Sequence, residues 1–224
     1  PEDLAKVSAK PDGLFQLQTS FDLGAATSEQ NSYISGQFTG GFDGNGKTIS
    51  GLTKPLFSNL GPGASVSDLT LNTASSPGVQ GNAVLASTVS GPSDPNHPTL
   101  INNVIVNGSV TSDDAHTGGL VGSNDGTLVI TNSQSNTSIS QGKQSSTTGG
   151  LVGDNTGTLT ISGSENTGSI NTQSGNTGGL VGQNTGTLTI NNSDNTGQIV
   201  ASGNKVGGLV GINAGNTDIS SSFN

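Results

Sequence analysis

Asp113, Asp114 and His116 form the one place in the sequence where acids and a histidine gather. Two carboxyl groups facing a cleft could serve as the acid and base of glycoside hydrolysis. The same Ser-Asp-Asp run is also ordinary turn chemistry, because these side chains bond to their own backbone, and it falls in the turn before Gly118. Lyase chemistry on acidic sugars calls for arginine or lysine beside the bound carboxylate; the chain has six lysines and no arginine. His97 and His116 stand far apart and no His-Glu-x-x-His occurs, so this stretch carries no zinc-protease helix. Asp43-Gly44-Asn45-Gly46 and Ser123-Asn124-Asp125-Gly126 offer hard oxygens suited to calcium, the likeliest ion if one binds. Both lack the acid count of a calcium loop and read as Asn-Gly turns. No catalytic, cofactor-binding or metal-binding residue is assigned.

The residues that recur are hydroxyls and amides. Thr158 with Thr160 and Thr187 with Thr189 form Thr-x-Thr pairs, and Thr127 begins the matching run one repeat earlier. These five threonines make a candidate exposed flank. Two such pairs are too few for an ice-ordering face.

The elements that must hold them follow from a repeat. Gly118-Gly119-Leu120-Val121-Gly122 returns at 149–153, 178–182 and 207–211. Each copy leads into Gly-Thr-Leu-x-Ile at 126–130, 157–161 and 186–190, and then into Ile139, Ile170 or Ile199. A worn copy continues upstream through Leu56 and Leu85. The marker leucines 56, 85, 120, 151, 180 and 209 lie 29, 35, 31, 29 and 29 residues apart. Such a period signals a solenoid or an array. The long gap holds the Pro-rich stretch Ser90 to Pro98, which suits a loop.

Apolar residues alternate with polar ones over short runs bounded by Gly and Asn, a strand-and-turn pattern. Only 28% of residues are hydrophobic and 3% aromatic, against 36 glycines. That composition cannot fill a thick core, while the 9% of charged residues is low for a disordered chain. The expectation is an all-β parallel β-solenoid (β-helix) of about six coils of about 29 residues, each with three short strands, plus an N-terminal cap. Residues 1–54 supply the cap and first coil, and 55–224 the repeats. Glu2 to Lys10 reads as a short capping helix, followed by strand-like Phe15, Leu17, Phe21 and Leu23.

Leu159 and Ile161 should face inward and Thr158 and Thr160 outward. Further along the coil, Leu69, Leu71, Val104 and Val106 align with Ser133, Ser135, Ser164, Asn166, Ser193 and Asn195. These later residues either form stacked polar ladders inside or are turned outward by a bend.

A net charge of −9 argues against nucleic acid and against an anionic membrane surface. The absence of cysteine removes disulfides and thiolate metal sites. No run of about 18 apolar residues is present for direct membrane insertion. The chain opens at Pro1 and closes at Asn224 partway through a repeat, which suggests a piece of a larger protein.

The element Gly-Gly-Leu-Val-Gly-x-Asn-x-Gly-Thr followed by Ser and Asn resembles the GLUG repeat of large secreted or surface-exposed bacterial proteins. The stretch Phe15 to Leu23, with Gly40 to Ile49 and Pro55-Leu56-Phe57, resembles the segment that precedes those repeats. Such repeats occur in filamentous haemagglutinin-like adhesins, in self-associating surface proteins, and beside the protease domain of immunoglobulin A metallopeptidases. The resemblance implies a non-catalytic module on a secreted or cell-surface protein. Adhesion to a glycan or protein of a host, matrix or neighbouring cell is the first function it suggests, with self-association possible. A stalk projecting another domain, such as a protease, is the second. A polysaccharide-degrading β-helix is the third and weakest.

Overall fold

The computed structural model describes residues 2–24, 30–92, 94–142, 146–173, 175–203 and 205–224. Among them the chain winds into a parallel β-solenoid of about seven turns. The turns are counted by a seven-stranded parallel sheet running from Ile34–Phe38 through Phe57–Leu60, Ala86–Val89, Val121–Asn124, Val152–Asn155 and Val181–Asn184 to Val210–Asn213. One turn thus lies upstream of Leu56, where the worn pattern no longer shows a leucine.

A second, longer sheet stacks Gly41–Leu52, Ser65–Thr73, Thr99–Ser112, Thr127–Thr131, Thr158–Ser162, Thr187–Asn191 and Asn216–Ser220. Its register follows the repeat: Thr158 pairs with Thr127 and with Thr187, and Ile161 with Ile130 and with Ile190. The expected strand around Ile170 exists as Ile170–Thr172 but belongs to this same sheet.

The third sheet is formed by residues expected to be turns. His116–Gly118, Thr147–Gly149, Asn176–Gly178 and Lys205–Gly207 stack as four parallel strands. The chain then reverses through Gly150-Leu151 and its equivalents, so Leu151 precedes its strand instead of lying within it. Glycine is obligatory here on steric grounds. A Cβ on Gly149 would sit 2.0 Å from the Val152 carbonyl, and one on Gly150 would lie 2.1 Å from the Gly179 carbonyl and 2.3 Å from Asn166 Cγ. Gly153 and Gly182 press against the backbones of Thr117 and Thr148 in the same way. The repeated Gly-Gly-Leu-Val-Gly is therefore the imprint of two sheets meeting without side chains between them.

Inside, Leu120, Leu151, Leu180, Leu128, Leu159, Ile130, Ile161 and Ile170 are fully buried. At the N-terminal end Phe38 and Phe57 lie 5.2 Å apart, and Phe42 meets Phe57 edge-on at 5.6 Å. The helix Glu2–Ala9 covers this end with Leu4 and Val7. Phe15 and Leu17 of the following segment pack against the core half-buried.

One left-handed residue per turn decides the polar ladders. Asp68, Asn103, Asn132, Gly163, Asn192 and Ser221 all have φ near +50°, and alternation is reset at each of them. The residues one and three positions after it therefore point inward, so Leu69 and Leu71 are buried, as are Ser133, Ser135, Ser164, Asn166, Ser193 and Asn195. The bend exists, and it turns these residues inward.

Two predictions follow from this packing. Leu180→Asp should cost several kcal/mol by burying a charge, about the level at which the fold fails, whereas Thr187→Asp on the exposed face should leave the melting temperature within a few degrees. Gly150→Ala should cost about 1–3 kcal/mol or more through overpacking. Gly142→Ala, whose methyl would meet only the Asp113 carboxylate at 3.3 Å, should cost far less; similar melting temperatures for the two alanine variants would contradict the steric account.

Candidate functional site

A ladder of amides runs through the later turns, buried at Asn124, Asn155 and Asn184. Asn124 Nδ2 donates to Asn155 Oδ1 at 2.7 Å, Asn155 Nδ2 to Asn184 Oδ1 at 2.6 Å, and Asn184 Nδ2 to Asn213 Oδ1 at 2.7 Å. The sequence reading missed this ladder by treating Asn124 as a turn residue. The signal was available in the asparagine that recurs in every Gly-x-Asn element. A second ladder joins Asn166 to Asn195 and Asn195 to Asn224, both at 2.7 Å. Asn166 Oδ1 has no donor, because the previous coil carries Ser135, whose hydroxyl bonds to Thr137 instead. The serines act differently from the expected side-chain pairing. Ser164 Oγ accepts from the Ser133 backbone N–H, and Ser193 Oγ from that of Ser164, both at 3.1 Å.

The five flank threonines stand in one sheet on its outer side. Thr127, Thr158, Thr160 and Thr189 are half-buried and Thr187 is exposed. They form two parallel rows, Thr127-Thr158-Thr187 and Thr160-Thr189, with Val129 beginning the second.

Asp113 and Asp114 are exposed, and the Asp114 N–H bonds back to Ser112 Oγ at 3.1 Å. His116 places Nδ1 2.9 Å from Thr147 Oγ1. His97 pairs with Asp94 at 2.8 Å in the exposed loop, where this bond holds the Asp94 carboxyl below its ordinary range. Asp43 spends both oxygens on its turn, accepting from the Gln16 side chain at 2.8 Å and from the Asn45 N–H at 2.7 Å. These bonds, the Gln16 one foremost, lower its pKa. Asn124 points into the core instead of toward Asp125. Among the described residues no three His, Asp or Glu side chains gather.

One acid stands apart. Asp154 is only 4% exposed on the outer face of the seven-stranded sheet, between Ser123 and Gln183 of the adjacent coils. Its Oδ1 receives no hydrogen bond. In the next coil Gln183 Oε1 accepts from Asn176 Nδ2 at 2.7 Å, but Asp154 has Thr147 at the position of Asn176, and that hydroxyl is engaged by His116. Burial raises the Asp154 pKa, the charge of Asp125 adds to the rise, and His116 opposes it.

A surface groove of about 760 Å³ is lined by Lys54, Gln80, Asn82, Thr88, His116 and Ser123, among others. Lys54 is buried, with Nζ 4.8 Å from the Tyr33 ring centre and 2.9 Å from the Gln30 carbonyl. Desolvation lowers its pKa.

Residues 2–108 match the N-terminal region of the M26 IgA1-specific metallo-endopeptidases. That half holds the capping helix and the turns upstream of the regular repeats. A solved Bacteroides ovatus structure, described as an immunoglobulin A1 protease candidate, superposes with a TM-score of 0.77 at 21% identity over 94% of this chain and 68% of that one. A solved IgA1 protease superposes with a TM-score of 0.73 at 26% identity over 98% of this chain. The chain spans 19% of that protein's length. No curated protein is a significant match. The chain thus resembles the repeat region of an immunoglobulin A peptidase-like protein. No helix among the described residues is long and apolar enough to cross a membrane.

The Asp154 environment gives a pH prediction with a defined sign. An acid whose pKa is raised on folding costs nothing where it is protonated in both states, and its cost grows as pH rises from the ordinary range through the native pKa. Asp154→Asn should therefore raise Tm by about 2–4 °C at pH 8, and the gain should shrink through about pH 4 and vanish toward about pH 3, where the unfolded carboxyl too is protonated. A gain independent of pH would show that charge is not the cause.

Proposed function

We propose that this solenoid is a non-catalytic accessory region of a secreted or surface-exposed IgA-protease-like protein, a stiff spacer that sets the position of other parts of that protein. The observation that supports it most is the continuity of the coil-to-coil bonding. Each turn is tied to the next by backbone ladders in parallel register, and the later turns also by the amide ladders from Asn124 to Asn213 and from Asn166 to Asn224. A rod bonded in this way transmits position with little bending. The match of residues 2–108 to a protease N-terminal region supports the same reading.

Adhesion to a host, matrix or cell-surface component is the second reading, favoured by the outward rows of Thr127, Thr158 and Thr187 and of Thr160 and Thr189. Neither reading involves nucleic acid or insertion into a membrane.

The chain incubated with immunoglobulin A1 should leave it uncut; cleavage by this chain alone would overturn the non-catalytic assignment. Beads coated with the chain should not be retained on host cells or matrix through the threonine rows. Retention that is abolished by Thr158→Lys with Thr187→Lys would replace the spacer by the adhesin.

A further inference from the structure

The groove has a structural origin that points to a use. The seven-stranded sheet is covered on its outer side by the four-stranded sheet, but the cover begins only at His116–Gly118. Among the described residues no strand covers Ile34–Phe38, Phe57–Leu60 or Ala86–Val89. The segments that precede them, around Thr53-Lys54-Pro55 and Gly81-Asn82, instead form the groove wall.

The sequence marks this boundary at one position. Under the cover it is glycine: a Cβ on Gly153 would lie 2.5 Å from the Thr117 nitrogen, and one on Gly182 would lie 2.6 Å from the Thr148 nitrogen. Gly122, at the boundary, packs in the same manner against the Asn82 side chain. In these turns the aligned residues are Ser58 and Ser87, half-buried side chains over which no strand of the described residues lies. The groove is thus the vacant half of a layer that is filled elsewhere, and its floor keeps hydroxyls where the filled half keeps glycine.

The lining groups say what the vacancy can hold. Gln80, Asn82, Ser87, Thr88 and Ser123 supply amides and hydroxyls from three turns, and His116 adds an imidazole whose Nδ1 is taken by Thr147. Among the described residues no partner reaches His116 Nε2, Asn82 Oδ1, Ser87 Oγ or Ser123 Oγ, while Asn82 Nδ2 is fixed by the Ser87 carbonyl at 3.1 Å. Together these groups donate and accept, and the aligned hydroxyl residues Thr88 and Ser123 stand one coil apart, a spacing of about 4.8 Å. A ligand rich in hydroxyls that also donate and accept satisfies them. An extended peptide would bring apolar side chains for which the lining has no pocket. Acidic sugars are disfavoured by Asp114 at the rim and by the net charge of −9, and the single lysine of the groove is already engaged. The volume is in the range of small-ligand sites.

We propose that this groove binds a short neutral oligosaccharide along the solenoid axis, held by hydrogen bonds from Asn82, Ser87, His116 and Ser123. The proposal is independent of the spacer reading, since a rod can carry a lateral site, and it lies on a different sheet from the threonine rows.

The test is nuclear magnetic resonance titration of the ¹⁵N-labelled chain with cellotetraose and N-acetylchitotetraose into the millimolar range, beside a hyaluronan tetrasaccharide and a blocked Gly-Ser-Asn-Gly-Ser peptide. At least one neutral tetrasaccharide should shift the backbone or side-chain amide signals of Asn82, Ser87, His116 and Ser123. Ser87→Tyr, which fills the groove from its floor, should weaken that binding at least tenfold; Thr158→Tyr on the other sheet should not. His116→Ala, which leaves the floor intact, serves if Ser87→Tyr melts early, and should weaken binding severalfold. No shift with either neutral sugar, shifts centred elsewhere, tighter binding of the acidic sugar or peptide, or affinity unchanged in both groove variants would each overturn the proposal.

Discussion

Every turn of this protein must lie on the turn before it, in register, at the spacing of a parallel β-ladder. That requirement fixes the cross-section and leaves no room for adjustment from one coil to the next. Where the covering strand meets the seven-stranded sheet, two backbones approach so closely that a methyl group at Gly149, Gly150 or Gly153 would overlap a carbonyl or amide of a neighbouring coil. The glycines therefore recur because the rise recurs, and a substitution in one turn would strain two.

The same constraint explains a core that is polar over much of its length. A residue that stacks on its own copy can satisfy its hydrogen bonds with that copy, so buried asparagine costs little when the series is unbroken. Asn124, Asn155 and Asn184 meet this condition. The cost reappears where a series starts: Asn166 Oδ1 has no donor because Ser135 stands one coil earlier. In the first turns, where successive coils differ in sequence, the interior is instead filled by Phe38, Phe42, Phe57, Leu69 and Leu71, whose packing needs no matched partner.

Departures from strict repetition locate the features that stacking alone does not require. Asp154 replaces the neutral Ser123 and Gln183 of its neighbours and is left buried without a donor. Ser58 and Ser87 replace the glycine of later coils where the outer layer is missing. In a repeat protein such breaks are the places where chemistry beyond stability can reside, because the regular positions are already committed to neighbours.

The solenoid, its period and the inward direction of Leu159 and Ile161 could be read from the sequence, since they depend on spacing and alternation within one coil. For Ser133, Asn166 and Asn195 the sequence left inward ladders and an outward bend both open, because the direction depends on a left-handed residue at Asn132, Gly163 and Asn192, whose conformation the local sequence permits without compelling it. The third sheet escaped notice for a related reason. Thr147-Thr148-Gly149 and Asn176-Thr177-Gly178 have the composition of turns, and they become strands only because identical segments lie one coil above and below to receive their hydrogen bonds. The candidate site was legible only in part: His116 was singled out from composition, but its company was expected to be Asp113 and Asp114. Only the winding of the chain placed it beside Thr147, Asn82 and Ser123, because contacts across turns are set by the rise of the solenoid and not by distance along the chain.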